Sequence, residues 1–168
     1  PYDPSGMTFL IGRLRDRVGV SYVPADERLG QAGAALEALV KLAGRPEWYG
    51  FYDLVAQQAA VERATATPEL CQHALQVLGL LATPGAQRSL VALASQTGRP
   101  IAERQAAALA FETSVERRGV LLTRDEILAQ YDRYNASATQ NEETQQVLGA
   151  LLDTIEAPAA GEETSPIR

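Results

Sequence analysis

Residues 72–94 read Gln72-His73-Ala74-Leu75-Gln76-Val77-Leu78-Gly79-Leu80-Leu81-Ala82-Thr83-Pro84-Gly85-Ala86-Gln87-Arg88-Ser89-Leu90-Val91-Ala92-Leu93-Ala94. Ala74, Val77, Leu78 and Leu81 recur at intervals of three and four, which is the spacing of one face of an α-helix. After a short break, Leu90, Val91, Leu93 and Ala94 do the same. Between them stands Thr83-Pro84: a hydroxyl residue that caps, then a proline suited to the first helical position. Two amphipathic helices joined by so tight a turn lie antiparallel. One hairpin of this kind cannot bury its apolar stripe alone, so it requires neighbours of the same build.

The same grammar extends in both directions. Upstream, Thr67-Pro68-Glu69 opens the helix that carries Leu70 to Leu81. A helix over about Glu47 to Ala64 places Trp48, Phe51, Tyr52, Val55 and Ala59 in register. Another over about Asp26 to Ala43 carries Leu29, Ala32, Leu36, Leu39 and Val40. It ends at Gly44, a natural C-cap, with Pro46 opening the next helix. Met7, Leu10, Ile11 and Leu14 mark a first helix from Met7 to Arg17, stopped by Gly19 and followed by an extended Val18–Val23 linker. Downstream, Gly98-Arg99-Pro100 opens a helix that runs to about Arg118 and stops at Gly119. Thr123-Arg124-Asp125-Glu126 is a capping box, with Ile127, Leu128, Tyr131 and Tyr134 behind it. Asn141, with Glu142 and Glu143, starts the last helix, whose stripe is Val147, Leu148, Leu151, Leu152 and Ile155. The expectation is an all-α chain of about eight helices.

Four of these helices repeat one another. Ala35-Leu36-Glu37-Ala38-Leu39-Val40-Lys41-Leu42 aligns with Ala74-Leu75-Gln76-Val77-Leu78-Gly79-Leu80-Leu81. Ala108-Leu109-Ala110-Phe111 and Val147-Leu148-Gly149-Ala150-Leu151-Leu152 follow. The leading leucines are Leu36, Leu75, Leu109 and Leu148, spaced by 39, 34 and 39 residues. A period of about 35–45 residues with two helices per period is typical of helical repeat arrays.

Over residues 26–157 the pattern resembles the HEAT repeat family, in its short bacterial form, with armadillo-like units as near relatives. The resemblance implies a right-handed stack of antiparallel helical hairpins, an α-solenoid whose second helices line a concave face. It also implies a scaffold that binds other proteins rather than an enzyme. The pair at 101–134 departs from the pattern, because its connector Gly119-Val120-Leu121-Leu122 is apolar where the family has a polar turn. Residues 1–24 read as an N-terminal helix and linker, 25–157 as the repeat domain, and 158–168 as a flexible acidic tail. Pro1-Tyr2-Asp3-Pro4 with Leu10, Ile11 and Leu14 is weakly similar to the end of a response-regulator receiver domain. That similarity, spanning residues 1–17, would imply an upstream domain and a regulatory output role.

Charge narrows the partners. Of the net −6, residues 139–168 contribute −5, with six acids against Arg168. Phosphate backbones require a basic surface, so nucleic acid is disfavoured as a partner. No apolar run reaches the ~20 residues of a membrane-spanning helix. Cys71 is the only cysteine, which excludes an intramolecular disulfide and suits a cytoplasmic setting. Asn135-Ala136-Ser137 matches the glycosylation triplet, a pattern common by chance.

Chemistry is sparse. His73 is the only histidine and has Cys71 two residues away. Two ligands fall short of the three or four that zinc needs. No serine sits in a nucleophile elbow and no glycine cluster forms a phosphate loop. Asp53 beside Tyr49 and Tyr52, and Asp132 beside Tyr131 and Tyr134, resemble the lone acid of some HEAT-like enzymes but lack its basic surroundings. The reading is therefore no catalytic, cofactor or metal residue. The partner is a protein or another domain of the parent chain. Tyr49, Arg88, Arg124, Tyr131 and Arg133 are the candidate contacts, since Tyr and Arg are enriched at binding hot spots. A HEAT-like enzyme acting on nucleic acid, or a regulatory output domain, are the competing readings.

Overall fold

The structure, a computed structural model, describes residues 25–45 and 53–157. The expected helix at Met7–Arg17, the Trp48–Tyr52 aromatics including Tyr49, and the tail from 158 lie outside the described residues. Within them are seven α-helices: α1 (Ala25–Ala43), α2 (Gln58–Ala64), α3 (Pro68–Leu81), α4 (Pro84–Ser95), α5 (Ile101–Arg118), α6 (Arg124–Ala136) and α7 (Glu142–Glu156). Short 3-10 turns, Val55–Gln57 and Ser137–Thr139, lead into α2 and out of α6.

Local chemistry sets most of the boundaries. Thr83 Oγ1 accepts the amide of Ala86 at 3.0 Å, and Pro84 occupies the first helical position of α4. Thr123 and Glu126 form the reciprocal capping box at the start of α6. Asn141 Oδ1 accepts the amide of Thr144 at 3.1 Å to open α7. Gly119, at φ 71°, stops α5. Two expectations are corrected. The Thr67 side chain does not cap α3. The Glu47–Ala64 helix is not continuous: residues 53 and 54 are not helical, and α2 starts only after the 3-10 turn. The cause is Asp53, whose Oδ1 accepts the Ala56 amide at 3.0 Å and so begins a turn. Of the one-sided Ile127, Leu128, Tyr131 and Tyr134, Ile127 packs against the core while the others do not join it. Gln130 is the only buried residue of α6, and Leu128 and Tyr134 are exposed.

Along one row the helices pack two apart, α1 on α3, α3 on α5, and α5 on α7, and α4 packs on α5 as extensively as α3 does. The four helices of the row run in the same direction. Gly33 faces Leu70, Gly79 faces Ala110, and Arg104 reaches Thr144. Small residues bring the row together. A Cβ on Gly79 would lie 2.7 Å from the carbonyl oxygen of Ala110, so only glycine allows α3 and α5 this approach. The even helices are joined by polar bridges instead. Ser89 donates to Glu62 at 2.7 Å and Thr83 to Gln58 at 2.6 Å, linking α4 to α2. Arg88 pairs with Glu126 at 2.6 Å, linking α4 to α6.

One core runs along the row, through Leu36, Leu39, Leu75, Leu78, Leu90, Phe111, Leu148 and Leu151. The alignment that gives Leu109 as the third leading leucine slips by one residue here. Leu36, Leu75 and Leu148 are at most 5% exposed, yet Leu109 is 63% exposed. Ala108 holds the buried place, and Phe111 fills the position of Leu39, Leu78 and Leu151. The structural series is thus 36, 75, 108 and 148. Phe111 decides it, because its ring is the largest apolar group in this stretch of α5 and its burial fixes which face turns inward.

Two buried polar side chains add bonds between α4 and the elements packed around it. Gln87, fully buried, donates from Nε2 to Gly119 O at 2.9 Å and Ser114 Oγ at 3.1 Å. Its Oε1 accepts the Leu121 amide at 2.8 Å. This pins the apolar connector 119–122 onto α4 and satisfies backbone groups that a polar turn would have left to water. Arg104 donates to Ala94 O at 2.9 Å and Thr144 Oγ1 at 2.8 Å, linking the end of α4 to the start of α7. Its burial lowers its pKa from the ordinary arginine value.

Candidate functional site

Leu109 stands on the open side of the α1–α3–α5–α7 row, with a hollow on either side of it. The larger, about 770 Å³, lies between α5 and α7. Its apolar lining comes from Ala108, Leu109, Val115, Val120, Val147 and Ala150. Glu112 and Glu116 on α5, Asp153 on α7 and Arg117 supply its charges. The smaller, about 380 Å³, lies over α3, lined by Val40, Gln72, Leu75, Gln76, Leu80, Ala106, Leu109, Ala110 and Thr113, none of them charged. The local sequence explains the place. Burial of Ala107, Ala108, Phe111 and Ser114 turns Leu109, Glu112 and Glu116 outward together along one side of α5. Val120, in the connector held by Gln87, extends the apolar lining past the end of α5.

The residues chosen from sequence lie elsewhere. Arg88 is on α4, exposed and paired with Glu126. Glu126 is held below its ordinary carboxyl pKa chiefly by the Thr123 amide, with Arg88 assisting, so it stays ionised and keeps the arginine. Arg124 is exposed at the start of α6. Tyr131 donates its hydroxyl to Glu156 at 2.6 Å, and that bond, ahead of burial, pushes its pKa up. Arg133 donates to Gln130 Oε1 at 2.9 Å. Arg124 and Tyr131 share a face of α6, whereas Arg133, nine residues from Arg124, falls on the opposite one. The four do not converge on either hollow.

Among the described residues no three His, Cys, Asp or Glu side chains group as a cation site. Cys71 is buried, and desolvation, with Glu103 adding to it, raises its thiol pKa, which lowers its reactivity. No described helix is long and apolar enough to cross a membrane. Sequence reading missed Leu109 and the valines around it. The signal was present in the heptapeptide Ala106–Glu112, where burying Phe111 and Ala107 forces Leu109 outward. No protein-family model, curated protein or solved structure matches the chain.

Proposed function

We propose that this chain is a non-catalytic helical-repeat scaffold that binds a helical segment of a partner protein along the open side of its odd-numbered helices. The reading takes α1, α3, α5 and α7 as the repeated first helices of HEAT-like units, with α2, α4 and α6 between them. Support comes from the two-apart packing of parallel first helices and from the repeated buried positions 36, 75, 108 and 148.

The observation that carries the function is Leu109. This leucine is 63% exposed, stands outside the apolar core, and has a hollow on each side. Large apolar groups beside apolar hollows mark binding surfaces on soluble proteins. A hollow lined along two neighbouring helices can accept a third helix, whose side chains at i, i+3, i+4 and i+7 enter it.

The test is selection from a displayed library of helix-forming peptides, with counter-selection on Leu109→Asp. The expected survivors carry apolar residues at helical spacing and bind the variant at least about tenfold more weakly, the loss of one buried leucine contact. Peptides that bind Leu109→Asp as well as wild type, but fail on Arg88→Ala with Arg133→Ala, would move the site to α4 and α6 and sink the reading.

A further inference from the structure

We infer that the helix accepted between α5 and α7 is basic along its flanks, with Lys or Arg on either side of its apolar stripe. This rests on the docking face proposed above and names the chemistry of its occupant. Three carboxylates stand around the hollow: Glu112 and Glu116 on one wall, Asp153 on the other. The ion pairs of the described residues are Arg88–Glu126 and Arg99–Glu103, and neither involves these three acids. The one cation in the lining, Arg117, directs its Nη2 to the carbonyl of Ala43 on α1, at 3.1 Å. The α7 wall, Glu142–Glu156, contains no Lys or Arg.

Glu112 and Glu116 are also an i,i+4 pair of like charges, an arrangement that weakens an isolated helix. Neither glutamate is in an ion pair among the described residues. Cations from outside would relieve that repulsion as they bind, so charge and shape select the same ligand. An apolar stripe on a helix is about 100° wide and is flanked on both sides. Seated on Ala108, Val115, Val147 and Ala150, such a stripe brings its flanking positions to the acids of both walls. The α5 side of the hollow extends from Gln105 to Val120, enough for about four turns of helix. The hollow over α3 has no charged lining and sets no such preference. Anionic lipid and nucleic acid carry the wrong sign for the same three carboxylates.

The experiment uses two 18-residue end-blocked peptides with one common apolar face, one flanked by Lys and Arg, the other by Glu. Binding is read by fluorescence anisotropy, at low salt and at 0.5 M NaCl. The proteins are wild type, Leu109→Asp, and the triple variant Glu112→Gln, Glu116→Gln, Asp153→Asn. Wild type is expected to prefer the basic peptide by about tenfold at low salt, the sum of three exposed charge pairs. High salt and the triple variant should each shrink that preference to within about threefold. Equal binding of both peptides, lost in Leu109→Asp, would overturn the charge inference and leave the docking face standing. A tenfold preference kept by the triple variant would also overturn it, placing the charge effect elsewhere. Binding of neither peptide would overturn both.

Discussion

Phe111→Ala is expected to cost about 3–5 kcal/mol of stability, whereas Leu109→Asp, two residues away, should cost no more than about 1 kcal/mol, from helix propensity and its i,i+3 neighbour Glu112. Phe111 is among the largest fully buried side chains. Removing its ring deletes the apolar area it buries and leaves a void, since helices locked by the Gly79–Ala110 contact cannot close in on it. Leu109 has most of its surface in water already, so an aspartate there loses little packing. The repeat alignment read from sequence expects the opposite order, with Leu109 equivalent to the buried Leu36, Leu75 and Leu148. Urea denaturation of the two variants decides between the registers. A loss of 2 kcal/mol or more in Leu109→Asp would restore the sequence register and remove the exposed ridge on which the binding face depends.

Gln87→Leu is expected to cost about 2–4 kcal/mol, although leucine is more apolar and the site is fully buried. The substitution strands three groups at once: the Gly119 carbonyl, the Leu121 amide and the Ser114 hydroxyl. Each buried group left unsatisfied costs about 1–3 kcal/mol, partly recovered where water reaches the connector. Ser114→Ala removes one partner and leaves Gln87 its bonds to the connector, so it should cost about 1 kcal/mol. The denaturation midpoints of the two variants, at unchanged slope, measure this difference. If Gln87→Leu proves neutral, the connector is not held by this side chain. Val120 would then be free to leave the hollow it lines.

What the sequence displayed, and what it concealed, follows from the range of the interactions. Helix starts at Thr83-Pro84, Thr123–Glu126 and Asn141 were legible because a cap is satisfied within four residues. The break at Asp53 was hidden because the apolar spacing of Val55 and Ala59 runs on at helical period past the turn that its side chain begins. The register of α5 was hidden by its alanines, which suit either face, and only the volume of Phe111 breaks the tie. The apolar connector 119–122 was noticed as a departure from the repeat. Its explanation required Gln87, thirty-four residues before Leu121, which no local pattern connects. Arginines and tyrosines drew the sequence reading to α4 and α6 by residue type. Those side chains bond to Glu126, Gln130 and Glu156, while the hollows open on the other row.

The most direct measurement of the central claim is methyl NMR of Leu- and Val-labelled protein titrated with the basic-flanked helical peptide. The account predicts that the methyl groups of Leu109, Val115, Val120 and Val147, which line the α5–α7 hollow, shift together along one binding curve. Leu128 on α6 and Leu93 on α4 should stay in place. Shifts centred on Leu128, with Leu109 unmoved, would contradict the claim and return the binding face to the helices that carry Arg88, Arg124, Tyr131 and Arg133.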